Sequence, residues 1–248
     1  MNAALSKFIF LGQLTFLFVS SLGAQVPDYD LNPWIGDGFD EKADRFFKLL
    51  AVQTTSIRTS VSSEEGRMVM GLQLSSAISS GKGNMGFIRG KGGIFPVLEG
   101  NFWVARNLRL HGTFSGFSSA NDLVFSSSYG FAYQSGGDRA RGRWAFSFLR
   151  SRLEGPEDLF FKSIVMSTGR RINYHNLRLT LGTGIVLYNS GLHISGVDED
   201  SFPKRMEGAV GMFTLRGDTM IASNIEAGLE LRLSPKCFSL TLGLYKIL

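Results

Sequence analysis

Apolar side chains occupy every second position over much of this chain. The pattern is clearest from Phe238 to Leu248 (FSLTLGLYKIL), where the even positions are large and apolar except for Lys246, and the odd positions begin with small or polar residues. A period of two places these two sets on opposite faces of a β-strand. The same alternation recurs in roughly ten segments from residue 68 onward, which predicts an all-β antiparallel fold.

The alternating segments are each roughly ten to thirteen residues long, which is the length that a tilted strand needs to cross the apolar band of a membrane. We therefore expect a transmembrane β-barrel of about ten strands over residues 67–248, with eight and twelve strands as the neighbouring possibilities. The three longest predicted connections fall at the same end of the barrel: residues 79–93, 151–159 and 189–205. Bacterial barrels have their long loops outside and their short turns in the periplasm.

One segment has a helical period instead. Its apolar residues recur at spacings of three and four: Ala43, Phe46, Phe47 and Leu50. This spacing predicts an amphipathic helix over residues 40–51, within a periplasmic lead-in of residues 25–66. We expect the helix to pack at the periplasmic mouth of the barrel or against the inner leaflet, and a plugging or partner-binding role is the alternative.

Residues 1–24 have the composition of a signal peptide. Lys7 precedes an apolar run over residues 8–19, and small residues follow up to Ala24, where we expect cleavage. The run is too short to span a bilayer as a helix.

Composition narrows the function classes. The chain has 21 Phe, 30 Gly and only 6 Pro, and its net charge of +5 is not gathered into a run of basic residues that would indicate a nucleic-acid partner. Cys237 is the single cysteine, so no internal disulfide can form. Neither His111 nor His175 has neighbours at metal-ligand spacing. We expect no cofactor, no metal and no nucleic acid.

The end of the chain resembles a known family signal. Thr241, Gly243 and the apolar residues that lead to the terminal Leu248 resemble the C-terminal signal of Gram-negative outer-membrane β-barrel proteins, although Lys246 departs from it and Phe is commoner than Leu at the last position. The resemblance implies a location in the cell outer membrane, contact with outer-membrane lipids including lipopolysaccharide, and recognition of Phe238–Leu248 by the barrel-insertion machinery. The competing interpretation is a soluble secreted β-domain.

Alternation places charged residues on the inward faces of the predicted strands. These are Glu99, Arg109, His111, Arg143, Arg178, Glu226, Glu230 and Arg232. Because an unpaired buried charge is costly, opposite charges inside a narrow barrel predict a mutually satisfied polar filling. A narrow polar path for small solutes is the other interpretation. Both favour a non-enzymatic barrel that serves as a narrow pore or as a structural or anchoring element.

An enzymatic alternative depends on His193-x-Ser195, with Glu207 downstream. Serine, base and orienting acid are the three groups of a nucleophilic hydrolase. The element resembles that of outer-membrane lipid A deacylases and phospholipases, which implies a lipid-modifying esterase. Gly196 departs from those families, which have Asn after the serine.

Overall fold

The computed structural model describes residues 38–55, 68–79, 94–119, 122–135, 143–155, 159–192 and 205–248. These ranges contain one helix and ten strands: α1 (Phe39–Gln53), β1 (Met68–Ser79), β2 (Ile94–Ala105), β3 (Leu108–Ser119), β4 (Asp122–Ser135), β5 (Arg143–Glu154), β6 (Leu159–Tyr174), β7 (Leu177–Leu192), β8 (Arg205–Ala222), β9 (Ile225–Leu233) and β10 (Cys237–Ile247). The predicted signal peptide lies outside the described residues. Among the described residues, no helix is both long enough and apolar enough to cross a membrane.

The ten strands close into a single antiparallel barrel. Each strand pairs with its neighbours in the chain, and β10 pairs with β1 in a register that places Leu242 opposite Leu74. Closure pairs the first and last strands, so that neither is left as an edge. The predicted fold class, an antiparallel barrel of about ten strands with one short helix, is confirmed. The alternating C-terminal segment is the strand that closes the ring.

The two ends of the barrel differ in their connections. The loop end, where the odd-numbered strands finish, has the two longest connections, residues 80–93 and 193–204. The turn end has two-residue turns: Arg106–Asn107, His175–Asn176 and Ser223–Asn224. The predicted long loop over residues 151–159 is wrong, because β5 continues to Glu154 and β6 begins at Leu159.

No turn forms at Gly217–Asp218, although a Gly–Asp sequence favours one. Strand β8 runs through both residues, and Gly217 pairs with Leu179 of β7 on one side and with Leu229 of β9 on the other. The side chain of Asp218 is buried in the barrel. Pairing on both sides therefore outweighs the local turn preference of a Gly–Asp sequence.

The outer wall of the barrel is apolar, whereas the buried polar and charged side chains of the strands lie on the inner wall, together with a cluster of buried apolar residues. Large apolar side chains on the outer wall are about half exposed, including Leu98, Phe114, Phe146 and Leu244. Side chains on the inner wall are buried and include Gln73, Glu99, Arg216 and Glu230. A soluble barrel needs the opposite arrangement, so this distribution contradicts the soluble alternative and fits a wall in contact with lipid.

Aromatic residues mark the turn end of the outer wall. Tyr133, Trp144 and Tyr174 are exposed there, and Tyr174 is 65% exposed. Lys246 is exposed near the end of β10. Tyr, Trp and long basic side chains concentrate where a bilayer meets water, because one part of each side chain is apolar and the other polar.

Candidate functional site in the barrel lumen

The helix α1 lies inside the barrel. Phe46, Phe47 and Leu50 are fully buried, and the helix packs against inward-facing apolar residues of the strands. The ring of Phe47 stacks on Phe161 of β6 and Tyr188 of β7, with centroid distances of 6.1 and 6.5 Å. The helix therefore forms a plug within the wall.

The beginning of α1 lies at the loop end. Asp44 accepts hydrogen bonds of 3.4 Å from both the Tyr188 hydroxyl and the Lys236 ammonium, and Lys236 belongs to the loop-end turn between β9 and β10. The thiol of Cys237, the first residue of β10, donates to the backbone oxygen of Lys48 at 3.8 Å. Asp40, Glu41 and Lys42 of the first helical turn are exposed at this mouth, and burial becomes complete toward Gln53.

The end of α1 points into the middle of the lumen. The hydroxyl of Thr54 donates back to the carbonyl of Leu50 at 2.8 Å and ends the helix. Arg232 donates to the carbonyl of Val52, and the hydroxyl of Ser151 donates to the carbonyl of Thr54 at 3.4 Å. The guanidinium of Arg232 thus meets the negative end of the helix dipole.

The expected site of the helix, the periplasmic mouth or the inner leaflet, is wrong. An amphipathic stripe shows that a helix packs against an apolar surface. Only the closed barrel determines which surface that is.

A group of buried charged side chains fills the lumen beyond the helix end, and Arg216 is at its centre. Its Nε lies 2.9 and 3.0 Å from the two carboxylate oxygens of Asp218, and Nη1 donates to Glu230 at 3.1 Å. Nη2 donates to the Tyr245 hydroxyl at 3.0 Å, and Glu230 also accepts from Arg232. This Arg216 network joins the adjacent strands β8, β9 and β10 on the inner wall. Each of its carboxylates has a cation, as burial requires.

A second network surrounds Glu99 on β2. Its carboxylate accepts hydrogen bonds from the side-chain amides of Gln73 and Asn101. His111 Nδ1 lies 3.0 Å from Asn101 Oδ1 and 3.5 Å from Glu99 Oε1. All four side chains are buried, and they link the inner faces of the adjacent strands β1, β2 and β3.

The remaining predicted lumen residues lie nearer the turn end. Arg178 forms an ion pair with Glu226. Arg109 is fully buried, with its guanidinium carbon 5.7 Å from the ring centre of Trp103. The side chain of Arg143 lies outside the described part of the structure. A buried charge is energetically costly unless it has a partner. The pairing of opposite charges is therefore consistent with a polar filling of the lumen.

Glycines make room for the Arg216 network. Tyr245 lies flat on the inner wall over Gly71 and Gly243, where a Cβ atom would collide with its ring. Gly228 leaves similar space for Asp218 and Arg216. A larger residue at any of these positions forces a buried side chain to move.

The space between the helix end and the Arg216 network is small. Its cavity measures about 20 Å³ and is lined by residues that include Thr55, Thr180, Glu230 and Arg232. That volume has room for about one water molecule. In the described ranges no group of three or more His, Cys, Asp or Glu side chains is placed to hold a metal ion.

The predicted catalytic set is described only in part. His193 and Ser195 lie outside the described residues. Glu207 is on the exposed outer face of β8, where its carboxylate accepts a hydrogen bond of 2.6 Å from the Asn189 amide. The esterase alternative therefore stays a prediction.

Three members of the Arg216 network were not among the residues predicted to line the lumen. Arg216 and Asp218 share the alternation of Val210 and Met212, which face inward, but Gly217–Asp218 also has the composition of a turn. Tyr245 shares the alternation of Thr241 on the inner face of β10. Period-two alternation predicts an inward position for Arg216, Asp218 and Tyr245. The turn preference of Gly217–Asp218 argues against that position for the first two.

Comparison with known proteins gives structural similarities alone. No protein-family model and no curated protein matches the chain. An outer membrane channel from Pseudomonas putida is similar over 77% of this chain and 97% of its own, with a TM-score of 0.46 and 11% identity. The β-domain of the Bordetella autotransporter BrkA is similar over 75% and 100%, with a TM-score of 0.42 and 11% identity. Neisserial surface protein A is similar over 73% and 97%, with a TM-score of 0.34 and 11% identity.

The class follows from the barrel itself. A closed antiparallel barrel with an apolar outer wall and a charged interior is a transmembrane β-barrel of the outer-membrane type. Within that class, this chain has a lumen occupied by its own N-terminal helix and by two hydrogen-bonded networks.

Proposed function

We propose that this chain is an integral protein of the bacterial outer membrane that is closed by its own helix, and that it serves as a structural or anchoring element without enzymatic activity. The location is supported by the outer wall, where apolar side chains such as Leu98 and Phe114 are half exposed. Aromatic residues border this wall at the turn end. Such a surface is stable in lipid and insoluble in water.

The closed state is supported above all by the position of α1. The helix takes up the loop-end half of the lumen, with Phe46 and Phe47 at 0% exposure. The Arg216 network and the network around Glu99 lie deeper in the lumen, beyond the end of the helix. Barrels of this size are usually filled by side chains, whereas open aqueous channels belong to much larger barrels.

Planar-bilayer recording tests the closed state. The purified full chain is expected to insert without discrete conductance steps. A variant that lacks residues 39–53 and has Arg216, Glu230 and Arg232 replaced by Ser is expected to conduct, which shows that the assay detects an open barrel of this size. Regular steps from the unaltered chain at low voltage would mean that it is a pore.

A deacylation assay tests the non-enzymatic role. The purified protein is incubated with lipid A and with phospholipid, and released fatty acid is measured. No release is expected. Activity that disappears in Ser195→Ala would replace the anchoring role with the esterase alternative.

A further inference from the structure

Three basic residues interrupt the apolar outer wall at the loop ends of β5 and β6. Arg150 and Arg152 lie two residues apart on the outward face of β5, and Lys162 lies on the outward face of β6 directly opposite Arg152. All three side chains are exposed. We call these three residues the basic patch.

Apolar side chains border the basic patch along the strands. Toward the turn end, the outward face of β5 carries Trp144 and Phe146, which are 46% and 50% exposed. Toward the loop end, Phe125 of β4 is exposed beside the end of β5, and the ammonium of Lys162 lies 5.1 Å from the ring centre of Phe160. The charges therefore lie within the lipid-facing wall, and not in a loop that water surrounds.

The described neighbours compensate the patch only in part. Glu154 forms an ion pair with Arg152, which leaves two of the three positive charges (3 − 1 = +2). Like charges directly opposite each other on adjacent strands destabilise a sheet, and Arg or Lys on a lipid-facing wall is destabilising by an amount that increases with depth in the membrane. A bound anion removes both penalties.

The position of the patch limits the choice of anion. Arg150 and Arg152 are within the last five residues of β5, at its loop end. If the chain is an outer-membrane protein, as proposed above, this part of the wall faces the outer leaflet. Tyr129, 62% exposed and opposite Arg150, adds an aromatic ring and a hydroxyl of the kind found at the head-group level. Guanidinium groups bind phosphate with two parallel hydrogen bonds, and a Lys adds a point charge.

We propose that the basic patch is a binding site for the phosphate groups of a phosphorylated glycolipid in the outer leaflet. Arg150 and Arg152 hold the phosphate oxygens, Lys162 completes the charge, and the acyl chains lie along the apolar wall toward Phe146. The proposal rests on the proposed outer-membrane location.

Thermal stability of the folded protein in a neutral detergent tests the site. Barrel unfolding is followed by heat-modifiable gel migration during titration with lipid A, monophosphoryl lipid A, phosphatidylcholine or inorganic phosphate. Lipid A is expected to raise the unfolding temperature by several degrees, with a smaller effect of monophosphoryl lipid A and none of the other two. The R150Q/R152Q/K162Q variant is expected to need roughly tenfold more lipid A for half of the effect, since each basic residue near an anionic lipid surface adds to binding.

Two variants serve as controls. Arg170→Gln removes an exposed arginine opposite Trp144 at the turn end and is expected to respond to lipid A like the unaltered chain. R150K/R152K keeps the charge and is expected to fold even where the triple variant does not. It is expected to weaken binding, because Lys lacks the bidentate hydrogen bonds that a guanidinium forms with phosphate. A triple variant, or this Lys variant, that responds to lipid A like the unaltered chain would overturn the proposal, as would an equal effect of inorganic phosphate. Absence of heat-modifiable migration in the unaltered chain would instead contradict the proposed function.

Discussion

Lys236, in the turn before the last strand, lies 3.4 Å from Asp44 of the helix, although the two residues are 192 positions apart in the chain. This contact places the beginning of α1 at the loop end, opposite the turn end where β10 finishes. Asp44 also accepts a hydrogen bond of 2.6 Å from Lys48. Burial opposes its ionisation, but the two lysines hold the pKa of its carboxyl below the usual value.

Cysteine labelling tests the direction of α1. Glu41 is exposed in the first helical turn, so Glu41→Cys is expected to react with a membrane-impermeant maleimide on intact cells. The parent chain, whose Cys237 is buried, is expected not to react. Asn176→Cys, in a turn at the opposite end, is expected to react only after permeabilisation. Labelling of Asn176→Cys and not of Glu41→Cys on intact cells would contradict the orientation.

Burial, more than the Lys236 contact, holds the helix in the lumen. Phe47→Ala removes a fully buried ring that stacks on two others, and it is expected to lower the free energy of unfolding by about 3–5 kcal/mol. Lys236→Ala removes an exposed partner and is expected to cost less than about 1 kcal/mol. Urea unfolding of the protein in vesicles measures both. Equal effects of the two variants would show that the ion pair is the main restraint.

The lowered pKa of Asp44 adds a small pH dependence. A depressed pKa in the folded state stabilises that state above the ordinary pKa, and the stabilisation is lost as the pH falls through the lowered value. Asp44→Asn is therefore expected to flatten the acid limb of a stability–pH curve and to leave stability near pH 7 lower. An unchanged acid limb in this variant would exclude Asp44 as the titrating group.

Arg216 is expected to be the most sensitive of the lumen charges. Arg216→Met removes the cation that Asp218 and Glu230 share, and loss of one partner of a buried ion pair costs about 3–5 kcal/mol. Urea unfolding provides the measurement. Arg170→Met, on the exposed outer face, is the matched control and is expected to change stability by less than about 0.5 kcal/mol. Similar values for both variants would mean that the Arg216 network adds little to stability.

Gly71 tests the packing of Tyr245. A methyl group at Gly71 would collide with the Tyr245 ring, whereas one at Gly100 meets no atom within 4 Å. Gly71→Ala is expected to cost about 1–3 kcal/mol through overpacking, and Gly100→Ala is expected to be close to neutral. Comparison of their unfolding midpoints decides the matter, and a stable Gly71→Ala protein would show that Tyr245 moves freely.

The sequence by itself determined the barrel and its two faces. Period-two alternation is a local property of each strand, so residues such as Phe146 and Glu230 could be assigned to the outer and inner walls without knowledge of their neighbours. A count of about ten strands, with eight and twelve as possibilities, and the place of Phe238–Leu248 as a strand followed from the same signal. Most of the residues predicted to face inward are buried in the lumen, with Arg143 outside the described side chains.

Only the tertiary structure decided where the helix lies and which charges meet. The apolar stripe of α1 predicts packing against some apolar surface, and that surface exists only when strands from both halves of the chain close around Phe47. The turn after β8 lies at Ser223–Asn224 and not at Gly217–Asp218, because pairing with β7 and β9, together with the Arg216–Asp218 contact, outweighs the local turn preference of a Gly–Asp sequence. Alternation determines the face of a residue, whereas the register between strands determines its partner.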